Sequence, residues 1–276
     1  MTDSICKIGQ SIIHHGVDSQ RIYLMKLDQK DLPSILHDLN FMAKKYEYTK
    51  IIAKIPAAVK AIFEQDDYHA EAKIPKLYNG KITIHFMAKY LSKERQENYN
   101  PNKINDILKI VQEKAIRTKS QEKIPLDIQM ATTIDVKEMS KIYSKVFSNY
   151  PFPIDDTSYL IETMKSHVQY YLVRVNDKIA ALASSEIDAD NQNAEMTDFA
   201  TLPEYRGKGY ALALLKYMES EMKKQKIKTT YTIARASSIG INYIFEKQGY
   251  TFSGTLINNT FMPEGLESMN VWYKNL

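Results

Sequence analysis

The chain has 276 residues, 44% of them hydrophobic, which is ample material for one large domain or two ordinary ones. Its 37 basic and 33 acidic residues leave a net charge of +4, interspersed rather than blocked, so no nucleic-acid partner is needed to explain it. The single cysteine, Cys6, excludes an intramolecular disulfide; no apolar run approaches a membrane span and the N-terminus lacks a signal-peptide core, so a cytoplasmic setting without membrane partners is expected.

In chain order, the first predicted unit is a strand at Ile52-Ala53-Lys54 followed by a helix at Ala61-Ile62-Phe63-Glu64-Gln65 and then Tyr68. Residues 69–75 and 81–90 read as two strands, and Asn79-Gly80 between them is a strong hairpin dipeptide. Residues 98–125 are charged and contain proline, with a helical centre at Ile104, Ile107, Leu108 and Val111, and are expected to bridge two halves. Phe147-Ser148-Asn149-Tyr150-Pro151-Phe152-Pro153 is an aromatic and proline loop between two helical patterns.

Residues 195–201 read as a strand that Leu202-Pro203 ends, because proline has no N–H for the ladder. The run Glu204-Tyr205-Arg206-Gly207-Lys208-Gly209-Tyr210-Ala211 then joins strand to helix. Gly207 and Gly209 lack a Cβ and accept φ > 0, which lets a ligand approach the main chain. The helix start beyond them presents free N–H groups and positive charge, so the run is a candidate pyrophosphate cradle. It is not a Walker A loop, since Lys208 is followed by glycine, nor a Rossmann fingerprint, since Leu212 stands at the third glycine position. Ala211, Leu215, Met218 and Met222 continue at helical spacing. A strand at residues 229–233 and a helix with Ile241, Ile244 and Phe245 come next; Ser237 or Ser238 would cap that helix and Gly249 would stop it. Residues 267–273 form a final strand with the only tryptophan, Trp272.

The first half echoes the second. Ile52-Ala53-Lys54 with Phe63, Glu64, Tyr68 and Met87 parallels Ile233-Ala234-Arg235 with Phe245, Glu246, Tyr250 and Met269. Phe63/Phe245, Tyr68/Tyr250 and Met87/Met269 are each 182 positions apart, whereas one inserted residue separates Ala53/Ala234 from that register. Each copy reads as strand, helix, strand, strand, and only the later one carries a cradle.

Arg206-x-x-Gly209-x-Ala211, together with Phe-Glu-Lys-Gln-Gly-Tyr at 245–250, resembles the coenzyme A loop and the last helix end of the GNAT superfamily of N-acetyltransferases. The resemblance implies an α/β (α+β GNAT) fold, a mixed central sheet flanked by helices, with acetyl-CoA as co-substrate and no metal. It divides the chain into a degenerate GNAT-like half at residues 1–125, without a coenzyme, and a catalytic domain at 126–276. It implies that Arg206, Gly207, Lys208, Gly209, Tyr210 and Ala211 hold the coenzyme and that Phe199, Ala200 and Thr201 pair with its pantetheine arm. Asn242 and Phe245 are expected to contact it too, although Phe245 stands where many members have a proton-donating tyrosine. Glu195 falls at the family's general-base position. Asp198, three residues on, faces the opposite side of an ideal strand, a parity that a bulge would change.

A narrower resemblance rests on residues 194–201, Ala-Arg-Ala-Ser-Ser-x-Gly-x-Asn at 234–242, Glu-Ser-Met-Asn-Val-Trp at 267–272, Ala53-Lys54-Ile55-Pro56 and Glu71-Ala72-Lys73-Ile74-Pro75. These look like the β-lysine N6-acetyltransferase family, along nearly the whole chain. That implies acetyl transfer within a ternary complex to the N6 amine of β-lysine, giving a zwitterionic osmolyte. A pocket for β-lysine needs a cation for its carboxylate, with Arg235 the candidate, and carboxylates for its second ammonium, with Asp198, Glu186 and Glu267 the candidates. The aromatic loop, with Tyr150, is expected to line that pocket. Two alternatives stay open: an acetyltransferase for another amine (polyamine, lysine or protein), and a non-catalytic acetyl-CoA sensor. Homodimerisation is left open.

Overall fold

In the computed structural model, residues 3–97, 99–117, 126–147, 150–262 and 265–276 are described. Residues 98 and 118–125 of the expected bridge, and Ser148 and Asn149 of the aromatic loop, lie outside them. Runs such as Ile51-Ile52-Ala53 and Ile179-Ala180-Ala181-Leu182-Ala183 are buried throughout. Such runs belong in strands covered on both faces, and both lie inside one continuous sheet. The first half contributes β1 (Ser4–Ile8), β2 (Ser11–Gly16), β3 (Arg21–Lys26), α1 (Ser34–Lys45), β4 (Lys50–Pro56), α2 (Lys60–Glu64), β5 (His69–Tyr78) and β6 (Ile82–Tyr90). Two helices follow, α3 (Lys93–Glu97) and α4 (Pro101–Arg117). The second half contributes β7 (Asp127–Met130), α5 (Val136–Val146), α6 (Thr157–Ser166), β8 (Val168–Val175), β9 (Lys178–Asp188) and β10 (Asn193–Thr201). It ends with α7 (Tyr210–Lys224), β11 (Thr229–Arg235), α8 (Ile239–Lys247), β12 (Thr251–Met262) and β13 (Gly265–Asn275).

The thirteen strands lie in the order β1-β2-β3-β4-β6-β5-β12-β13-β11-β10-β9-β8-β7. Read outward from the β5/β12 junction, the two halves repeat each other. Each runs hairpin, antiparallel neighbour, one parallel pair (β3/β4 or β10/β11), then two antiparallel strands. The repeat suggested by the sequence thus extends to β1–β3, where the sequence had suggested no elements. At the junction Ala72 pairs with Gly254, residues that are themselves 182 apart, so a pseudo-twofold axis passes beside this pair. Equivalent irregularities match as well. Register shifts at Ile74/Tyr78 and Leu256/Thr260 obey the same offset, as do Lys76 (φ 58°) and Asn258 (φ 45°). A Cβ on Gly254 would stand 2.2 Å from the Glu71 carbonyl oxygen, so only glycine lets the two sheets meet here.

Helices cover the sheet because each carries one apolar stripe. In the second half, α7 and α8 pack on the face with Tyr171, Val173, Ala181 and Met196, while α5 and α6 pack on the face with Tyr170, Leu172 and Leu182. Ile35, Leu36, Leu39 and Ala43 of α1 cover β3 and β4. A further core bridges the halves: Ala72, Ile74, Leu77, Ile84 and Phe86 pack with Tyr231, Leu256 and Val271. The expected bridge is helical at its centre, and α4 lies along α8.

Three buried cations of the first half hold the second. Lys50 Nζ donates to Glu71 at 2.8 Å and to the Ile257 carbonyl at 2.5 Å. Arg95 donates through Nε to the Asn258 carbonyl (2.6 Å) and through Nη2 to that of Asn259 (3.1 Å). Arg21 Nη1 reaches the same Asn259 carbonyl at 2.9 Å. The positive φ of Asn258 bulges β12 and turns these carbonyls away from the ladder. Glu71 is the carboxylate that balances Lys50, and both side chains are shut off from solvent. Removing one partner of such a pair leaves an uncompensated buried charge. Glu71→Ala should therefore cost about 3–5 kcal/mol in urea unfolding, with Lys50→Met/Glu71→Leu recovering most of it. An equal loss in the double variant would show that the Lys50–Ile257 contact, not the ion pair, supplies the stability.

Candidate active site

β10 and β11 pair in parallel only at Asn193, Ala194 and Glu195. Beyond Glu195 they diverge, and a cleft of about 1450 Å³ runs along the gap. At the divergence β10 also bulges between Thr197 and Ala200, with Asp198 at φ 54°. The bulge breaks the alternation of an ideal strand, so Glu195 and Asp198 both line the cleft.

One end of the cleft is the cradle. After β10 the chain turns through Pro203–Tyr205, and Arg206 Nε donates to the Thr201 carbonyl at 3.3 Å. Gly207 and Gly209 sit at φ 77° and 80°, where a side chain would be strained, and Gly209 is the residue that opens α7. A Cβ placed on Gly207 would meet no atom within 4 Å, so the space above it is open to a ligand. The N–H groups of the first helical turn have no intrahelical acceptor and carry the positive end of the helix dipole. All six residues from Arg206 to Ala211 line the cleft, as do Phe199 and Thr201. This fits the pyrophosphate and pantetheine arm of a coenzyme A.

Three residues expected at the coenzyme are placed elsewhere. Asn242 is fully buried and absent from the cleft wall; its Nδ2 donates to the Arg235 and Ser238 carbonyls, and its Oδ1 accepts from Asn270 and Trp272 Nε1. Its hydrogen-bonding capacity is spent tying α8 to β11 and β13. Phe245 is likewise fully buried, edge-on to Phe199 at 5.7 Å and to Tyr250 at 4.9 Å. Its repeat mate Phe63 meets Tyr68 in the same way at 5.2 Å, so the aromatic at this position is a core residue in both halves. Ala200 is buried against α5 and α6 rather than on the cleft wall.

The other end of the cleft is acidic. Glu186 on β9 lies across from Glu195, its register partner, and Asp198 completes a group of three carboxylates. Asp198 accepts from Tyr150 Oη at 2.5 Å and from Ser184 Oγ. Tyr150 thus meets Asp198, as one pocket requires, and packs on Phe147 at 4.8 Å. Burial pushes all three carboxyls up. Glu195 rises to about 7, with Lys54 and a hydrogen bond to Tyr231 opposing the rise. Glu186 rises to about 8, with the charges of Glu195 and Asp198 adding to burial. For Asp198 the bonds from Ser184 and Tyr150 oppose burial. At neutral pH this group shares its protons.

Two residues that no motif singled out as functional reach this end from the first half. Lys54 Nζ donates to Tyr231 Oη at 3.2 Å and lies 5.5 Å from the centre of that ring. The buried Tyr23 hydroxyl feels both Lys54 and Glu195, and burial holds its pKa far above the usual value. The signal for Lys54 was the repeat itself, since it matches Arg235 in the second half. Arg235 lines the cleft and pairs with Glu267 at 3.5 Å. Glu267 accepts from the Ser237 amide and lies outside the lining, so it fixes the β11–α8 turn rather than facing the carboxylate group.

Residues 136–250 match the profile of the acetyltransferase (GNAT) family. Over almost its whole length the chain resembles a beta-lysine N(6)-acetyltransferase of Methanococcus maripaludis, with 38% identity over 99% of this chain and 98% of that protein. A protein of the same name from Methanosarcina mazei is 34% identical over 86% of this chain and 95% of its own length. The chain belongs to the GNAT family of acetyltransferases. N-acetyltransferase YodP of Bacillus subtilis is 32% identical over 96% of both chains. Among solved structures, a GNAT phosphinothricin acetyltransferase from Sinorhizobium meliloti in complex with AcCoA has a TM-score of 0.50 at 13% identity. That alignment covers 55% of this chain and 89% of the other, and the likeness is one of fold. Acetyl-CoA is the family's acetyl donor.

A carboxyl whose folded pKa is raised binds protons more tightly folded than unfolded, so stability falls as pH rises from the unfolded value toward the folded one. For Glu186 that window runs from the ordinary glutamate value of 4.5 to about 8. Glu186→Gln should therefore raise the Tm of the ligand-free protein at pH 8, by an amount on the order of a few degrees, and change it little at pH 4.5. Differential scanning calorimetry at the two pH values reads the contrast.

Proposed function

We propose that this protein transfers the acetyl group of acetyl-CoA to the N6 amine of β-lysine, forming N6-acetyl-β-lysine, a zwitterionic osmolyte of the cytoplasm. The similarity to the Methanococcus maripaludis protein carries the proposal, because it spans the first half as well as the cradle. That first half supplies Lys54 and Tyr23 to the acidic end of the cleft. Residues 126–276 form the catalytic unit. Residues 1–125 form a degenerate copy that binds no coenzyme and closes the acceptor side. Among the described residues no helix is long and apolar enough to cross a membrane.

The acceptor amine, with a reference pKa of about 10.4, arrives protonated and must lose a proton before it attacks. Glu195 takes that proton, directly or through one water; its position at the divergence of β10 and β11 and its raised pKa both suit the task. The amine nitrogen forms the new C–N bond, the C–S bond breaks, and the departing thiolate gains a proton from solvent. Phe245 has no proton to give, and the modest pKa of a thiol makes a fixed donor dispensable. Beyond Glu195, β10 no longer pairs with β11, so main-chain N–H groups near Phe199 are placed to polarise the thioester carbonyl. Asp198, held by Tyr150 and Ser184, and Glu186 offer negative charge to the second ammonium of the substrate.

Thiol release from acetyl-CoA, measured with β-lysine, L-lysine, ornithine, spermidine and a lysine peptide side by side, should show strong preference for β-lysine. Preference for the peptide or spermidine would overturn the substrate assignment. Glu195→Gln should lower kcat by about 10²–10⁴-fold while leaving acetyl-CoA affinity unchanged. Undiminished turnover in that variant would remove Glu195 from its role, and silence of the wild type on every amine would favour a sensor. Lys54 holds the Glu195 pKa down, so Lys54→Met should move the acid limb of the kcat/KM profile to higher pH. A scan between about pH 6 and 9 brackets that limb.

A further inference from the structure

We propose that Arg21, from the half of the chain without a cradle, is the residue that reads the acceptor's carboxylate. The inference deepens the function proposed above and rests on it. Arg21 lines the cleft and is 95% removed from solvent, with a relative exposure of 5%. Nη1 is used by the Asn259 carbonyl, whereas Nε is buried with no hydrogen-bond acceptor among the described residues. No carboxylate among them comes within ion-pair distance of the guanidinium. Asp3 acts on Arg21 at longer range; its Oδ1 accepts from the Asp18 and Ser19 amides, and its Oδ2 is buried with no hydrogen-bond partner among the described residues. Burial pulls the Arg21 pKa down to about 10, with the charge of Asp3 opposing the fall. A guanidinium is a planar fork suited to two parallel bonds from a carboxylate, and this one has capacity left over in a cleft wall.

Its place in the fold says which end of a substrate it meets. In the parallel pair β3/β4 Arg21 stands opposite Lys50, and in β10/β11 Glu195 stands opposite Tyr231. Followed outward from the Ala72–Gly254 pair, the ladders make Ile52 the counterpart of Tyr231, so Tyr23 holds the position of Glu195 in the other copy and Arg21 lies two residues before it on β3. The pseudo-twofold sets these two strands on either flank of one cleft. One flank offers Glu195, Glu186 and Asp198; the other offers Arg21. Between them lies Tyr23, two residues along β3 and so roughly 7 Å from Arg21, whose hydroxyl feels Glu195. An extended amino acid with its carboxylate at Arg21 and its terminal amine at Glu195 matches both ends in charge. Arg235, the carboxylate partner expected from the sequence, already faces Glu267.

The test compares β-lysine with 1,4-diaminopentane, the same diamine without its carboxylate, in the wild type, Arg21→Gln and Arg21→Lys. In the wild type, kcat/KM should favour β-lysine by about 100-fold, the discrimination a charged hydrogen-bonding site gives. Arg21→Gln should abolish that preference by raising KM for β-lysine while leaving kcat/KM for 1,4-diaminopentane within a few-fold. Arg21→Lys, which keeps the charge and the grip on Asn259 without the fork, should restore only part of the preference. An equal loss on both amines in Arg21→Gln would mean that Arg21 merely pins β12, and would overturn the inference while the function stands. So would a wild type that acetylates both amines equally well. If the wild type prefers another amino acid, such as lysine, the β-lysine assignment falls, and Arg21 stands only if its substitution still erases dependence on the carboxylate. A wild type that acetylates neither amine sinks both proposals.

Discussion

The grip of Lys50, Arg95 and Arg21 on the carbonyls of Ile257, Asn258 and Asn259 is the contact on which the rest of this structure depends. The two halves meet in one sheet through a junction with a single paired position, Ala72 with Gly254. So short a ladder would be a weak hinge, and an edge with free N–H and C=O groups is a hazard in water. Beside it β12 bulges, and the carbonyls released by the bulge would be costly if buried without donors. Charged donors on the first half supply what they need. Glu71 then matters beyond its own bond, because it balances Lys50 in a place water does not reach. The apolar residues packed across the junction are aligned by the same contact, and so is the cleft wall at Asn259 and Thr260.

That wall explains how a site with conflicting charges is tolerated. Three carboxyls gathered at one place repel, and burial alone raises their pKa values. The group persists because each has a specific compensation. Asp198 has two hydroxyl donors, Glu195 has Tyr231 and Lys54, and Glu186 feels Lys54 across the cleft. Lys54 belongs to the first half, so the pKa of Glu195 is set in part by a residue outside residues 126–276. The raised pKa values mean that the empty site is destabilised by its own function near neutral pH. A cation bound beside the three carboxyls would relieve that repulsion.

Much of this was legible in the sequence, for identifiable reasons. The cradle was legible because positive φ at Gly207 and Gly209 and a helix start leave a local signature in residue types. The hairpin at Asn79-Gly80 was legible too: both residues take positive φ, and the strand before it runs on to Tyr78 rather than stopping at Pro75. The repeat was visible from β4 to β6 but not in β1–β3, where only strand order preserves it. Asn242 and Phe245 were misplaced because the motif fixes their position on α8, not the side of the helix that meets the cleft. Phe245 turns to the core and Asn242 to Trp272 and Asn270. Lys54 and Arg21 could not be placed at the cleft from any motif, since they reach it only when the two halves face each other.

The duplication also accounts for the division of labour between the halves. In the second half the parallel ladder ends at Glu195; in the first, Tyr23 stands at the matching level and Arg21 opens the ladder two residues before it. Both copies keep the edge-on Phe–Tyr pair that anchors the helix after the parallel strand. Packing therefore constrains the two copies alike, whereas only the second needs glycines after its inner strand. In the first, residues 27–33 contain none and lead straight into α1. Without a cradle that strand carries Arg21 and Tyr23 into the cleft wall. The cleft thereby draws Arg21 and Lys54 from one half and its three carboxyls from the other.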